Sequence, residues 1–190
     1  MSNKKQQLRI IGGRWRGRKL PVPDIEGLRP TPDRIRETLF NWLMTDCPGG
    51  SILDCFAGSG ALGFEALSRE AKHLTMIEKN PIAWRNLQQQ ASRLQTEQIT
   101  LLSGDIIDLI PRLDERFNLV FIDPPYALPQ LRQQVLEGLI VHRRLTDGAK
   151  IYLEWPVGEA FELIESGLSW VRHKIAGRVN YAIAEWRVSG

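Results

Sequence analysis

Ser51-Ile52-Leu53-Asp54-Cys55-Phe56-Ala57-Gly58-Ser59-Gly60-Ala61-Leu62-Gly63 runs a short apolar strand into a glycine-rich turn and then into a helix. Gly58, Gly60 and Gly63 satisfy G-x-G-x-x-G, and Glu78 stands twenty residues past Gly58 at the end of the next predicted strand. That spacing by itself suits a dinucleotide site, where glycines let the backbone approach a pyrophosphate. Asp54 argues against it. A carboxylate at the strand end is unfavourable beside two bound negative charges and favourable beside a cationic ligand.

Outward from this stretch, strands and helices alternate, the pattern of a parallel sheet covered on both faces. Strands are predicted near 51–55, 73–77, 98–102, 117–122 and 149–154, followed by an antiparallel pair near 169–175 and 180–188. Helices are predicted near 60–69, 81–94, 105–112, 129–141 and 157–166. Upstream, Leu8 to Ile11 and Trp15 to Leu20 flank the turn signal Gly12-Gly13, and Pro21, Pro23 and Pro30 mark an extended connector. A helix from Asp33 to Met44 puts Ile35, Leu39, Phe40 and Leu43 on one face and leaves Arg34 and the other polar residues facing outward. The fold class is therefore α/β, with a mostly parallel seven-stranded sheet, an antiparallel C-terminal strand and a small N-terminal β-hairpin. Residues 1–30 form the hairpin extension and residues 31–190 the main domain.

A second motif ends the strand at 117–122. Asp123-Pro124-Pro125-Tyr126 offers a carboxylate and a backbone carbonyl to N–H donors, with an aromatic ring to stack a heterocycle. The two prolines donate no N–H and stiffen the turn, so its carbonyls stay open as acceptors. Recognition of an exocyclic amine is the sharper reading, and a plain strand-terminating turn is the other. Asp54, Glu78, Asp105 and Asp123 each follow a predicted strand, so an open sheet lines them along one edge. Four carboxylates there repel one another unless a cationic or hydroxyl-rich ligand lies between them.

The combination of Asp54-x-Phe56-x-Gly58-x-Gly60 with Asp123-Pro124-Pro125-Tyr126 resembles the class I S-adenosylmethionine-dependent methyltransferases, and among them those that methylate amines. Leu28-Arg29-Pro30-Thr31-Pro32-Asp33-Arg34-Ile35-Arg36-Glu37-Thr38-Leu39-Phe40-Asn41 narrows the match, together with Arg9-Ile10-Ile11-Gly12-Gly13 and Arg16-Gly17-Arg18-Lys19-Leu20. These segments are similar to the bacterial 16S ribosomal RNA guanine-N2 methyltransferase family of the RsmD type, over nearly the whole chain.

The resemblance implies a Rossmann-like fold, S-adenosyl-L-methionine as cofactor, and transfer of its methyl group to the N2 amine of a guanine in small-subunit ribosomal RNA. It places Phe56, Gly58 and Gly60 by the methionine part of the cofactor and Asp54 near its amino group. Glu78 then accepts from the ribose hydroxyls, while Asp105 meets the adenine amino group with Ile106 beside the ring. An acid before a helix is also a common N-cap, which is the other reading of Asp105. Thr31 closes over the methionine end, although Arg29 and Thr31 serve equally well as a structural clasp. Asp123 and the Pro124 carbonyl hold the target amine, and Tyr126 stacks on the base. Three competitors share parts of this pattern: an adenine-N6 or cytosine-N4 methyltransferase on DNA or RNA, a nucleotide-dependent oxidoreductase, and a non-catalytic RNA-binding protein.

Charge is uneven. Residues 1–36 carry ten Lys or Arg and three acids, a net +7, and the rest of the chain is −4. Arg14, Trp15, Arg16, Arg18 and Lys19 set an aromatic among cations, a composition suited to RNA, and Arg29 and Arg34 extend it. A solvated basic hairpin is the bland alternative. Trp42, Trp84, Trp155, Trp170 and Trp186 are read as packing residues. Glu154-Trp155-Pro156 borders the pocket without an assigned role.

With 190 residues, 43% of them apolar, the chain suffices for one well-buried core. Cys47 and Cys55 form no disulfide framework, and Cys55 is read as a small buried hydrophobe. His73, His142 and His173 lack ligand spacing, so no metal is expected. No secretory signal or membrane span is expected, and the expected setting is the cytoplasm. There the chain is expected to act as a monomer on ribosomal RNA within a ribonucleoprotein particle.

Overall fold

A computed structural model describes residues 7–28 and 30–188. Arg29 lies outside the described residues. In chain order the elements are β1 (Gln7–Arg9), a 3-10 turn (Gly13–Trp15), β2 (Lys19–Pro21), α1 (Asp33–Trp42), β3 (Ser51–Asp54), α2 (Ala61–Ser68), β4 (His73–Glu78) and α3 (Pro81–Leu94). These are followed by β5 (Ile99–Ser103), α4 (Ile106–Leu109), β6 (Phe117–Ile122), α5 (Gln130–Val141), β7 (Leu145–Pro156), β8 (Leu168–Ala176) and β9 (Val179–Trp186).

The large sheet has seven strands in the order β5-β4-β3-β6-β7-β9-β8. Strands β3 to β7 pair in parallel, and β9 runs antiparallel between β7 and β8. The chain builds outward from β3 to β5, then returns to add β6 on the other side of β3. The order reverses between β3 and β6, and the crevice at the carboxyl ends of those two strands is where an open sheet of this kind takes its ligand.

Alternation along the strands divides the core in two. Ile52, Leu74, Met76, Leu119, Phe121 and Tyr152 face the first half, packed under Leu39 and Phe40 of α1, Phe64 and Leu67 of α2, and Leu87 of α3. Leu53, Ile77, Val120, Ile122 and Leu153 face the second, with Ile106 of α4 and Val135, Leu136 and Leu139 of α5. Strand β6 is buried on both faces, which explains its nearly unbroken apolar sequence.

The N-terminal hairpin is built onto this domain. Leu8, Ile10, Trp15 and Leu20 bury their side chains in the first half of the core. Beneath them the buried Glu65 carboxylate of α2 accepts from the N–H groups of Ile11 and Gly12, both at 2.8 Å, from Arg36 Nη1 at 3.4 Å and from Arg69 Nε at 2.8 Å. Arg36, fully buried, also donates to the carbonyls of Arg9 at 2.8 Å and Thr31 at 3.2 Å and to Asp33 at 2.6 Å. Gly13 lies against this junction at φ +72°, where a Cβ would stand 1.8 Å from the Ser68 carbonyl oxygen.

Four local expectations change. The hairpin segments expected at Leu8 to Ile11 and Trp15 to Leu20 are strand only at Gln7–Arg9 and Lys19–Pro21, with a 3-10 turn over Gly13–Trp15 between them. The helix predicted at 105–112 is the four-residue α4 followed by a 3-10 turn over Ile110–Arg112, because Pro111 supplies no N–H to continue it. Residues 157–166 form no helix. Phe161 packs on Trp155 at 5.5 Å and Glu159 pairs with Arg132, so tertiary contacts between Gly158 and Gly167 override the helical spacing. Arg36, on the helix whose polar residues were expected to face outward, is buried instead.

Removing one partner from a satisfied buried ion pair costs about 3–5 kcal/mol. Glu65→Leu, which also orphans two backbone N–H groups, is expected to lower unfolding free energy by about that much. Urea denaturation of the two proteins measures it, and a change below about 1 kcal/mol contradicts the assignment of Glu65 as the hairpin's anchor.

Candidate active site

Asp54 ends β3, 4% exposed, and its Oδ2 accepts from the Gly63 N–H in the first turn of α2 at 3.1 Å. The approach is close: a Cβ on Gly63 would lie 3.1 Å from both Asp54 Oδ2 and Met76 Cε, so these side chains would have to give by a few tenths of an ångström. Gly60 caps α2 at φ +79°, where a Cβ would meet Phe64 at 2.3 Å and Leu87 at 2.9 Å. The turn is fastened to β4 by Glu78, whose carboxylate accepts from the N–H of Gly58 at 2.7 Å and of Asn80 at 2.6 Å. Leu28 of the connector lies over Gly58, 2.9 Å from where its Cβ would be. Thr31 is half-buried, its carbonyl held by Arg36. Phe56 is half-buried and packs against the second half of the core.

Asp105 caps α4, accepting from the Ile107 N–H at 3.1 Å, and pairs with Lys79 Nζ at 2.8 Å. The Lys79 bond and then the Ile107 N–H hold its carboxyl below the usual range. Ile106 is buried in the second half of the core.

Asp123 follows β6. Pairing of Asp54 with Phe121 and of Ile122 with Leu153 puts Asp123 two residues beyond Phe121 on the face that carries Asp54, and level with Glu154 of β7. Pro124 is buried, and its carbonyl accepts no hydrogen bond among the described residues, whereas the Pro125 carbonyl takes the Leu128 N–H at 2.9 Å. Tyr126 is 51% exposed, its ring open to solvent at the rim.

Two groups here had no role assigned from sequence: Glu154, read only as bordering the pocket, and Arg132. Glu154, 4% exposed, accepts from the Tyr152 hydroxyl at 2.5 Å. Arg132 of α5 is fully buried, ion-paired with Glu159 and 5.6 Å from the Phe161 ring centroid. The residues Glu154-Trp155-Pro156 were recognisable as a strand end, but only the register puts that acid beside Asp123. Arg132 gave no signal, because an arginine on an amphipathic helix reads as solvated.

Asp54, Glu78, Asp123 and Glu154 thus stand on one face at the carboxyl ends of four adjacent strands. Burial pushes Asp54 up to about 7, opposed by the Gly63 N–H and assisted by the charges of Asp123 and Glu78. Burial raises Asp123 to about 6, opposed by Arg132. Glu154 is raised by burial and then by the Asp123 charge. Such a row is held at a cost until a cationic or N–H-rich ligand matches it. A set of carboxylate acceptors beside a glycine turn fits a ligand carrying an ammonium, a sulfonium and ribose hydroxyls.

The basic residues divide. Arg16, Arg18, Lys19 and Arg34 are exposed. Arg14 donates to Gln98 Oε1 at 2.6 Å and lies 4.2 Å over the Trp15 ring. Trp15 itself is only 7% exposed, which corrects the expectation that it stacks on RNA: its ring is part of the core. Cys55 is buried, its thiol pushed up by that burial.

The family model described as Conserved hypothetical protein 95 matches residues 8–185. Ribosomal RNA small subunit methyltransferase D of Escherichia coli (strain K12) is 41% identical over 184 residues, covering 97% of this chain and 92% of that protein. The protein of the same name from Haemophilus influenzae is 40% identical over 185 residues, 95% of each chain. The solved structure of yhhF from Escherichia coli matches with a TM-score of 0.89 at 38% identity, covering 97% of this chain and 100% of that one.

Gly60 and Gly17 both sit at positive φ, but only Gly60 has neighbours within reach of a Cβ. Gly17→Ala is expected to cost about 1–2 kcal/mol for the backbone alone. Gly60→Ala should cost clearly more and lower the melting temperature further. Equal melting temperatures for the two variants would show that the turn has slack there.

Proposed function

This chain belongs to the ribosomal RNA small subunit methyltransferase D family, and from that premise we propose that it transfers a methyl group from S-adenosylmethionine to the N2 amine of a guanine in small-subunit ribosomal RNA. The observation that carries the reading is the Asp123 carboxylate with the unbonded Pro124 carbonyl, on the same sheet face and across the switch point from Asp54 and its glycine turn.

S-adenosylmethionine, when bound, supplies a methyl group activated by its sulfonium charge. Asp54 holds the ammonium of its methionine part, with Phe56, Gly58 and Gly60 alongside and Thr31 closing over that end. Glu78 keeps a lone pair on each oxygen for ribose hydroxyls after accepting from Gly58 and Asn80. Asp105, with Ile106 next to it, faces the adenine amino group with the capacity left by Lys79 and Ile107.

The guanine N2 lone pair is delocalised into the ring, so the amine is a poor nucleophile. Hydrogen bonds from its two N–H groups to Asp123 and the Pro124 carbonyl aim that lone pair and stabilise the positive charge that develops on nitrogen. Tyr126 stacks on the base. The amine proton leaves once attack has made the nitrogen acidic, with Asp123 its nearest acceptor. Alignment and electrostatics supply most of the acceleration.

The target base leaves its stack to reach this edge. Arg16, Arg18, Lys19 and Arg34 contact RNA phosphates, with Arg14 partly committed to Gln98. A short basic arm reads folded shape better than sequence, so the substrate is RNA within a ribonucleoprotein particle, and the enzyme acts as a monomer in the cytoplasm. No helix among the described residues is long and apolar enough to cross a membrane.

Incubation with labelled S-adenosylmethionine and small-subunit ribosomal particles from cells lacking the protein, followed by nucleoside analysis, should yield N2-methylguanosine. Label in adenosine or cytidine would move the reading to another amine, and no label would end it. Asp123→Ala should lower the single-turnover rate by roughly 10²–10⁴ and leave cofactor affinity nearly intact. Because burial pushes Asp54 up to about 7 and an ammonium favours its ionised form, cofactor affinity should rise with pH up to that value and then level. The expected slope below it is up to about tenfold per pH unit. Asp54→Asn should flatten the profile; an unchanged slope in that variant would remove Asp54 from the cofactor's ammonium.

A further inference from the structure

The outer strand β8 is exposed at every position from Ser169 to Ile175. Among the described residues it has no neighbour beyond it in the sheet. From Leu168 to Arg178 the chain carries Arg172, Lys174 and Arg178 and no acid. None of the three makes an ion pair among the described residues.

Register fixes where these cations lie. Glu154 pairs with Tyr181, and Tyr181 pairs with Lys174. A straight line across β6, β7, β9 and β8 therefore runs Asp123, Glu154, Tyr181, Lys174, all on the face that carries the acceptor site. Arg172 pairs with Ile183, a residue of the core half on that face, so it stands beside Lys174 about 6.5–7 Å along the strand. Arg178 lies in the turn to β9 at the carboxyl end of β7, its carbonyl accepting from the Val157 N–H at 2.9 Å. Trp42 stacks on Tyr181 at 5.4 Å and 21°, and Lys174 Nζ is 5.8 Å from the Trp42 ring.

The strip runs from the amine acceptors, through the buried Glu154 and Tyr181 with Trp42 stacked on the latter, to three exposed cations that make no ion pair among the described residues. It lies at the far end of the sheet from the N-terminal hairpin, which packs on α2 and α3 over the β3–β5 half. Arg172 and Lys174 on one extended strand with Arg178 in the following turn make an acid-free basic run, the kind of surface that neutralises successive phosphates.

We propose that Arg172, Lys174 and Arg178 form a second RNA-binding surface, which grips the phosphates flanking the flipped base on the side of the acceptor site opposite the N-terminal arm. This rests on the reading that the substrate is RNA. With contacts on both flanks the RNA is held astride the site, so neither surface alone orients the target base.

The test uses the full chain and unmodified 16S ribosomal RNA transcribed in vitro. Arg172→Ala/Lys174→Ala/Arg178→Ala is compared with wild type and with a control, Arg85→Ala/Arg93→Ala/Arg116→Ala, which removes three exposed cations elsewhere. The strip variant should bind at least tenfold more weakly than the control near physiological salt. Its salt dependence should be shallower by about 2–3 in slope. Melting temperature and S-adenosylmethionine affinity should match wild type. Equal RNA affinity and slope for the two variants would overturn the proposal while leaving the substrate reading intact. Unchanged binding to naked RNA with weakened binding to the small-subunit particle would assign the strip to a protein partner and overturn it as well. Binding by wild type to neither the naked RNA nor the small-subunit particle would end both readings.

Discussion

The parallel pairing of β3 with β6, in which Asp54 stands opposite Phe121, is the constraint on which the site depends. It makes two loops sixty residues apart in sequence converge at one crevice, and it decides which face their carboxylates share. A slip of one residue would send Asp123 into the apolar half that holds Ile122 and Leu153. Such a slip is blocked because β6 is buried on both faces by side chains shaped for their own half of the core. The chemistry is thus positioned by apolar packing around the backbone hydrogen bonds of the strand pair, the Cys55 N–H donating to the Phe121 carbonyl at 3.1 Å among them.

Around this pairing the protein spends its buried polar groups in two ways. Glu65, Arg36 and Ser68 are matched to partners and join the N-terminal hairpin rigidly to α1 and α2. Asp54, Asp123 and Glu154 are undermatched, with carboxyls raised above the usual range by burial. Matched groups stabilise; undermatched ones hold free energy that a cationic ligand or an amine can recover. Glu78 does both, tying the glycine turn to β4 while standing in the same row.

Much of this was legible in the chain. The alternation of elements, the two motifs and the carboxylate edge all follow from local patterns, since a strand end, a glycine turn and a proline pair each act within a few residues. What escaped depends on contacts between distant segments. Trp15 sits among cations and reads as a stacking residue, yet its ring fills a gap in the core. Arg36 and Arg132 are buried because carboxylates from α2 and from the loop after β7 meet them. The segment 157–166 has helical spacing but is pulled out straight by Trp155 and Arg132. Glu154 needed a register, which no single strand carries.

The most direct test of convergence at this face is a crystal structure with S-adenosylhomocysteine bound. Its sulfur should lie between the Gly58–Gly60 turn and the Asp123–Pro124 acceptors, with its amino group at Asp54. A sulfur on the face of α4 and α5, or one walled off from Asp123 by protein, would contradict the proposed transfer.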